Sequence, residues 1–412
     1  MNIFKPLLIS ILFLSLFFSC QPNFDNAVDN KTQIQIFEKE AVKFTPDTSR
    51  KGLQADKNGI IHLTDGRIIL KKVKIPAFEK ATKAEINIIL KSAGDRWDKS
   101  GSCFIIPDTS AIDFIGIANK TEAFPEPPKE LKEFHGVVQG KNYRPVIELM
   151  RFMTPFGVGY YSDSMELRKP VYIPHWEKEV NWTEDISELL GILKKEVWIG
   201  VWIDTWTKEG YEISVRLNFA ESNLPQNPLK PTNVLPLLNT VYYISPQNYP
   251  DMFSRQGIKI QADIPEGAKN IRLKYIVTGH GGHSEGDEFT KKRNIISVDG
   301  KEVFSFIPWR DDCANFRRYN PHSGVWFDTV AVEYIDWKEK KYKRKTIEER
   351  IASSDYSRSN WCPGSDVPPV NIPLDILPGK HEFSFSIPDA QAIDGDKLNH
   401  WLVSAYLVWD EQ

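Results

Sequence analysis

From Ile34 to Trp409 the apolar residues recur in short alternating runs rather than at helical spacing. Ala84-Glu-Ile-Asn-Ile-Ile-Leu-Lys, Tyr211–Phe219 and His381–Ile387 each place hydrophobic side chains on one face of an extended backbone. Comparable runs lie at Ile34–Phe44, Gly59–Ile75, Val146–Met150, Val171–Trp176, Val197–Trp206, Ile258–Ala262, Ile271–Thr278, Ile295–Phe306, Val330–Tyr334 and Trp401–Trp409. Turn-forming residues fill the gaps. This pattern predicts an all-β fold of antiparallel sandwiches.

A break falls at 221–239, where prolines stand at 225, 228, 231 and 236. Proline removes a ladder donor, so the stretch predicts a stiff linker between an N-terminal domain (34–220) and a C-terminal domain (240–412). One helix is expected, over Asn181-Trp-Thr-Glu-Asp-Ile-Ser-Glu-Leu-Leu-Gly-Ile-Leu193. Asn181 or Thr183 would cap it and acids load its first turn.

The chain begins with an address. Lys5 precedes an apolar run, Leu7 to Phe18, of signal-peptide length and too short to span a bilayer. The run ends at Phe17-Phe-Ser-Cys20, which resembles a bacterial lipoprotein cleavage site, with Phe17 where Leu is usual. Residues 1–20 are therefore expected to be removed or lipidated at Cys20, with 21–33 as a polar tether. The expected location is a membrane-anchored exported lipoprotein, periplasmic or on the cell surface. Cys103, Cys313 and Cys362 remain, an odd number that predicts one pair and one spare thiol. The net charge of −3 gives no footprint for nucleic acid. The 12 Trp, 14 Tyr and 23 Phe supply flat apolar faces of the kind that sugars stack on, although most aromatics are core.

Chemistry-bearing residues gather in Gly94–Ser102, GDRWDKSGS, between two strand-like runs. Asp95, Asp98 and Lys99 serve either a solvated hairpin or a site there. His280-Gly-Gly-His283 is a weak metal signal, without a Cys or a third His nearby, and is read as no metal site.

Several of these stretches together resemble bacterial peptide-N-glycosidase F. Asp95-Arg-Trp-Asp98 resembles the family's Asp-Glu-Trp-Asp loop, and Arg151-Phe-Met-Thr-Pro-Phe156 its Arg-Phe-Ile-Thr-Pro-Tyr run. Asp204-Thr-Trp206 resembles its Glu-Thr-Trp strand end, and Arg358-Ser-Asn-Trp-Cys-Pro-Gly364 its Arg-x-x-Trp-Cys-Pro-Gly turn. The matches keep the family's order and span most of the mature chain.

The resemblance implies two antiparallel eight-stranded jelly-roll β-sandwiches packed side by side, with the site between them. It implies an amidase that hydrolyses the bond between an asparagine side chain and N-acetylglucosamine, without metal or cofactor. The implied partners are N-glycosylated peptides or glycoproteins, met by a monomer that touches membrane only through its lipid. The alternative is a glycan-binding lipoprotein on the same scaffold that has lost catalysis.

Amide hydrolysis needs a water deprotonated as it attacks and a proton for the leaving nitrogen, roles that carboxylates fill when burial pushes their pKa values apart. The resemblance assigns these roles to Asp98, Glu288 and Asp204. Asp204 is one methylene shorter than the family's Glu, and Glu288 lies in a charged run, 285–293, whose plain reading is a solvated loop. The family's disulfide near Glu288 is missing, because Thr290 stands at the expected Cys. Asp95, Lys99, Trp206, His280, Arg358 and Trp361 are expected to bind substrate; the alternative for Arg358 and Trp361 is a corner pinned by a Cys313–Cys362 disulfide, which the resemblance also implies. Gly101–Asn142 is longer than the family's equivalent and is expected to form a cleft rim.

Overall fold

The computed structural model describes residues 28–46, 54–107, 114–126, 129, 135–140, 142–160, 173–222, 232–244, 251–282, 285–395 and 397–411. The leader, Cys20 and His283 lie outside the described residues. In the first half the strands are β1 (Val28–Val42), β2 (Ile60–Leu63), β3 (Ile68–Lys74), β4 (Thr82–Ser92), β5 (Ser100–Ile106), β6 (Ile147–Met153), β7 (Val180–Asp185), β8 (Glu196–Ile203) and β9 (Tyr211–Ser222). There follow β10 (Thr232–Asn239), β11 (Ile258–Ile264), β12 (Lys269–His280), β13 (Asn294–Val298), β14 (Lys301–Phe306), β15 (Val325–Asp336), β16 (Lys341–Ala352), β17 (Asp366–Val367), β18 (Val370–Pro373), β19 (Gly379–Ser386) and β20 (His400–Asp410). The fold is nearly all-β and antiparallel, in two domains, as the alternating runs predict. Its layering is compatible with jelly rolls.

In the first domain the sheet β1-β9-β4-β7 faces the sheet β17-β6-β5-β8-β3-β2. Burial separates the two layers. Strand β4 alternates buried and half-buried residues along its whole length, as a sheet wet on one face must. Strands β5 and β6 are buried at every position. They are covered on both faces: by the first-domain core, and by a second apolar cluster that contains Phe104, Trp202, Tyr243 and Leu402. The six-stranded sheet is thus the middle layer of the molecule. The second domain pairs the sheet β10-β20-β12-β18 with β11-β19-β13-β14 around Leu273, Phe383, Phe385 and Trp401.

The domains are joined by more than packing. β17 belongs to the second half of the chain yet pairs with β6 of the first. Arg151, 1% exposed on β6, ion-pairs with buried Glu148 and gives Nη1 to the carbonyl of Leu402 on β20. Trp182 stacks on Phe152 at 5.0 Å and donates its indole N–H to the carbonyl of Gly364 at 3.0 Å. The Arg151-Phe-Met-Thr-Pro run is therefore an inter-domain joint.

Three expectations are corrected. The segment expected as a helix from Asn181 opens as strand β7, with Val180 and Trp182 inward and Asn181 and Thr183 outward. Asp185 then accepts from the backbone and hydroxyl of Ser187, starting a short 3-10 turn, Ser187–Leu189, rather than a full helix. The period of two in the first six residues outweighs the capping signals. Within the proline-rich stretch, Thr232–Asn239 pairs with β20; Pro236 is accommodated because β10 is an edge strand and its register shifts there. The described part of 101–142 includes strand β5 and a short helix, α1 (Phe114–Ala118), whose Phe114 packs on Phe104 and Tyr243. It fills space against the middle sheet instead of forming a rim.

Candidate active site

Asp98 sits in the loop from β4 to β5, and the loop is tied down on both sides of it. Asp95, fully buried, accepts the Trp97 N–H at 3.0 Å and the Thr205 hydroxyl at 2.7 Å. Tyr211 donates its hydroxyl to the Trp97 carbonyl, and the Lys99 N–H binds the Thr154 hydroxyl at 2.8 Å. Gly94 opens the loop at φ 140°, a conformation that L side chains rarely adopt. Asp95 is thus a brace inside the loop and not a substrate contact. Asp98 itself is half-buried, and desolvation raises its carboxyl pKa; the cations of Arg358 and Lys99 pull the other way.

Glu288 approaches from the second domain. Its turn is closed by the Thr290 hydroxyl on the carbonyl of Gly286 at 3.0 Å, so the residue standing at the expected Cys holds the loop non-covalently. Asp287, fully buried, accepts from the Trp401 indole at 2.9 Å, and the Ser359 N–H binds the Glu288 carbonyl at 2.9 Å. The run is anchored, not solvated. The glycines after His280 serve the same turn: Gly281 has φ 107°, and a Cβ there would meet the Asn399 backbone at 2.5 Å. Burial raises the Glu288 carboxyl to about 7; Arg358 opposes the rise, and the neighbouring Asp98 charge adds to it.

Arg358 is bonded to Glu288 and its charge also acts on Asp98. Its Nε donates to Glu288 Oε1 at 2.8 Å, while Nη1 and Nη2 bind the carbonyls of Tyr356 at 2.9 Å and Ser353 at 2.8 Å. Phe289 and Trp361 sandwich the guanidinium at 5.0 and 4.9 Å. Arg358 is 2% exposed, so it orients Glu288 instead of reaching for a substrate oxygen. Trp361, also 2% exposed, gives its indole N–H to the Gly279 carbonyl and forms a wall behind the site, with no face free for a sugar. The Cys313–Cys362 disulfide pins this corner, and Cys103 is a buried free thiol.

Asp204 anchors the first-domain side. It accepts from Arg67 at 3.3 Å, from the Trp206 indole at 3.0 Å and from the Tyr242 hydroxyl at 3.0 Å. Burial raises its pKa, offset by those donors and by Lys99, which acts on Asp98 as well. Arg67 stacks on Trp206 at 4.0 Å. From Tyr242, which touches Asp204 from the second domain, a file of second-domain rings runs on: His400 at 5.7 Å, His280 a further 5.0 Å on, then Trp361 at 5.4 Å. His280 is buried, bonds Thr278 at 2.7 Å, and is held neutral mainly by desolvation. Among the described residues no cluster suited to a metal ion occurs. Two indoles remain open, Trp97 and Trp206, each 52% exposed beside its acid.

Arg67, Tyr242 and His400 escape sequence reading. Arg67 follows an ordinary turn glycine, and Tyr242 and His400 lie in strand-rich runs where aromatics are usually core.

Comparison with known proteins places this arrangement. A family description, peptide-N-glycosidase F, N terminal, matches residues 33–219, and peptide-N-glycosidase F, C terminal, matches residues 248–408. The solved structure of PNGF-II in a C2 crystal is 34% identical with a TM-score of 0.78, covering 93% of this chain and 65% of that one; the P21 form gives 34% and 0.77, covering 93% and 66%. This chain thus spans just under two thirds of the length of PNGF-II. PNGase F, a glycosylasparaginase from Flavobacterium meningosepticum, shares the fold at 14% identity and a TM-score of 0.58, covering 93% of this chain and 96% of that one. A search of curated proteins returned no match. With both terminal descriptions matched in order along the chain, the protein belongs to the peptide-N-glycosidase F family.

Proposed function

We propose that this chain is an amidase that cleaves the bond between an asparagine side chain and the first N-acetylglucosamine of an N-glycan, releasing a glycosylamine and leaving aspartate in the peptide. The observation that carries the reading is the carboxylate pair, one from each domain, both raised by burial and both under the field of Arg358, which is bonded to Glu288. Two like charges in one dry site favour keeping a single proton between them near neutral pH. Asp98, ionised, takes a proton from the attacking water. Glu288, with its pKa near 7, delivers one to the leaving nitrogen. Trp97 and Trp206 offer sugar rings their exposed faces, and Asp204 fixes Trp206 through its indole N–H.

The domains of this reading are 34–220 and 240–412, each extended at its start, to Val28 by β1 and to Thr232 by β10. The substrate is an N-glycosylated peptide or glycoprotein, the enzyme is a monomer, and it is exported and held to a membrane by lipid on Cys20. Release of free glycan from a denatured glycoprotein, followed by mass spectrometry, tests the activity. Glycan binding without release would select the lectin-like alternative. Loss of membrane association in Cys20→Ala tests the anchor.

A further inference from the structure

The backbone leaves its ordinary range to deliver Arg67. Thr64 and Asp65, in the turn before β3, have left-handed φ angles of 49° and 55°, and Gly66 follows at 85°. Side chains rarely adopt that region, and such a run persists only where its surroundings hold it. Here the Thr64 hydroxyl binds the Tyr243 carbonyl at 3.0 Å, and the Thr45 N–H binds the Asp65 carbonyl at 2.6 Å. A Cβ on Gly66 would meet the Lys43 carbonyl at 2.6 Å. Between Lys43 and Thr45, the Phe44 N–H is tied to the Thr207 carbonyl at 2.9 Å. Strain of this kind collects at ligand clamps, and the side chain it aims is Arg67.

The target of that side chain is Trp206. The guanidinium carbon stands 4.0 Å from the indole centroid; among the described residues the next cation over a ring is at 4.9 Å. Its bond to Asp204, at 3.3 Å, is the longest of the three that this carboxylate accepts. Stacking, more than ion pairing, therefore describes what Arg67 does. Phe44 packs alongside the same indole at 5.2 Å, and Asp204 holds its N–H at 3.0 Å. Arg67 is only 9% exposed, whereas Trp206 is 52% exposed. One face of the ring is thus backed by protein and the other is open. An unbraced surface indole samples several rotamers and loses them when a ligand lands on it; a braced one starts ordered.

We propose that Arg67 is the positioning residue of a one-sided sugar platform, holding Trp206 from behind so that its free face is fixed for a ring of the N-glycan core. Arg67 acts only through Trp206 and does not touch the sugar. The inference rests on the amidase reading above for its substrate, and it assigns the strained turn a role in recognising that substrate.

The test is Arg67→Lys, which keeps a cation for Asp204 and loses the flat guanidinium face. We expect KM for a glycopeptide to rise about three- to tenfold, as expected for the ordering of one side chain, with kcat and its pH profile unchanged. Arg67→Met should raise KM at least as much. The protein is also labelled with 5-fluorotryptophan, and the Trp206 signal is assigned through Trp206→Phe. In the parent that signal should be a single narrow line that shifts on addition of N,N′-diacetylchitobiose. In Arg67→Lys it should broaden or move before sugar is added, and Kd should rise by the same factor as KM. These spectra read the folded fraction alone, so a loss of stability does not hide the result. Parent-like KM in Arg67→Lys, with only Arg67→Met impaired, would make Arg67 a counter-ion of Asp204 and overturn the proposal. A lower Tm with the Trp206 line and KM unchanged overturns it too, as does a parent line that ignores the sugar. A chain that releases no glycan yet binds the disaccharide in this Arg67-dependent way sinks the amidase reading and leaves the platform standing.

Discussion

Replacing Arg358 with glutamine probes the centre of the site. The guanidinium side chain is 2% exposed and its Glu288 partner 18% exposed, with 2.8 Å between them. Removing one member of a buried pair strands the other charge and typically costs about 3–5 kcal/mol. At roughly 2–4 °C per kcal/mol for a domain of this size, Tm should fall by about 6–20 °C. The loss carries a pH signature whose sign follows from linkage. An acid with a raised folded pKa is protonated in both states below its unfolded value, then costs stability as pH rises toward the folded one. With Arg358 in place that window ends near 7. Without Arg358 the folded pKa climbs further, so the penalty keeps growing above neutrality. Calorimetry from about pH 4 to pH 8 should therefore show the smallest gap between variant and parent at the acid end. The residue of that gap measures the lost bonds to Ser353 and Tyr356. In kcat/KM, the acid limb should move to higher pH, because both carboxyls lose a cation that holds them down. A Tm gap constant across the range would refute the counter-ion argument and leave Arg358 a backbone brace.

Other substitutions separate the remaining roles. Asp98→Asn should retain the fold and glycan affinity but lose more than nine tenths of turnover, at least ~1.4 kcal/mol of barrier, in a single-substrate assay. Glu288→Gln removes a like charge beside Asp98, so the Asp98 carboxyl should titrate at lower pH by NMR than in the parent. Arg151→Met strands buried Glu148 at the domain joint; denaturant melts should show a loss of about 3–5 kcal/mol. Asp204→Ala frees Trp206 and should raise KM. Asp204→Glu must place an extra methylene among three donors already in contact, and should cost about 1–3 kcal/mol in affinity or stability.

The fold was legible because alternation along a strand is local: β4 and β9 announce their wet and dry faces residue by residue. The helix expected at Asn181 failed for the opposite reason. Its caps and acids are also local signals, but Trp182 is claimed by Phe152 and by Gly364, a residue 182 positions away. Pro236 misled likewise, since an edge position, which excuses proline, is a property of the sheet and not of the sequence. At the site, the family resemblance pointed to Asp98, Glu288 and Asp204. It did not reveal which neighbours are exposed. Asp95, Arg358 and Trp361 share short motifs with residues near the cleft, yet each spends its polar atoms inside the protein.

That division explains how one buried joint and one reactive pair coexist. The two acids come from different domains, so their separation is only as fixed as the interface. Arg151, β17 and the Trp182–Gly364 bond make the interface rigid from the first-domain side. The Cys313–Cys362 disulfide and the Ser353 and Tyr356 carbonyls fix Arg358 from the second. An acid pair held by such a frame stays desolvated, and this keeps both carboxyls raised. Loosening the joint should then act on chemistry through solvation: water entering the boundary would lower both pKa values and move the acid limb of activity downward, opposite in sign to the loss of Arg358. The two kinds of variant thus pull one pH profile in opposite directions, which a purely structural role for either would not produce.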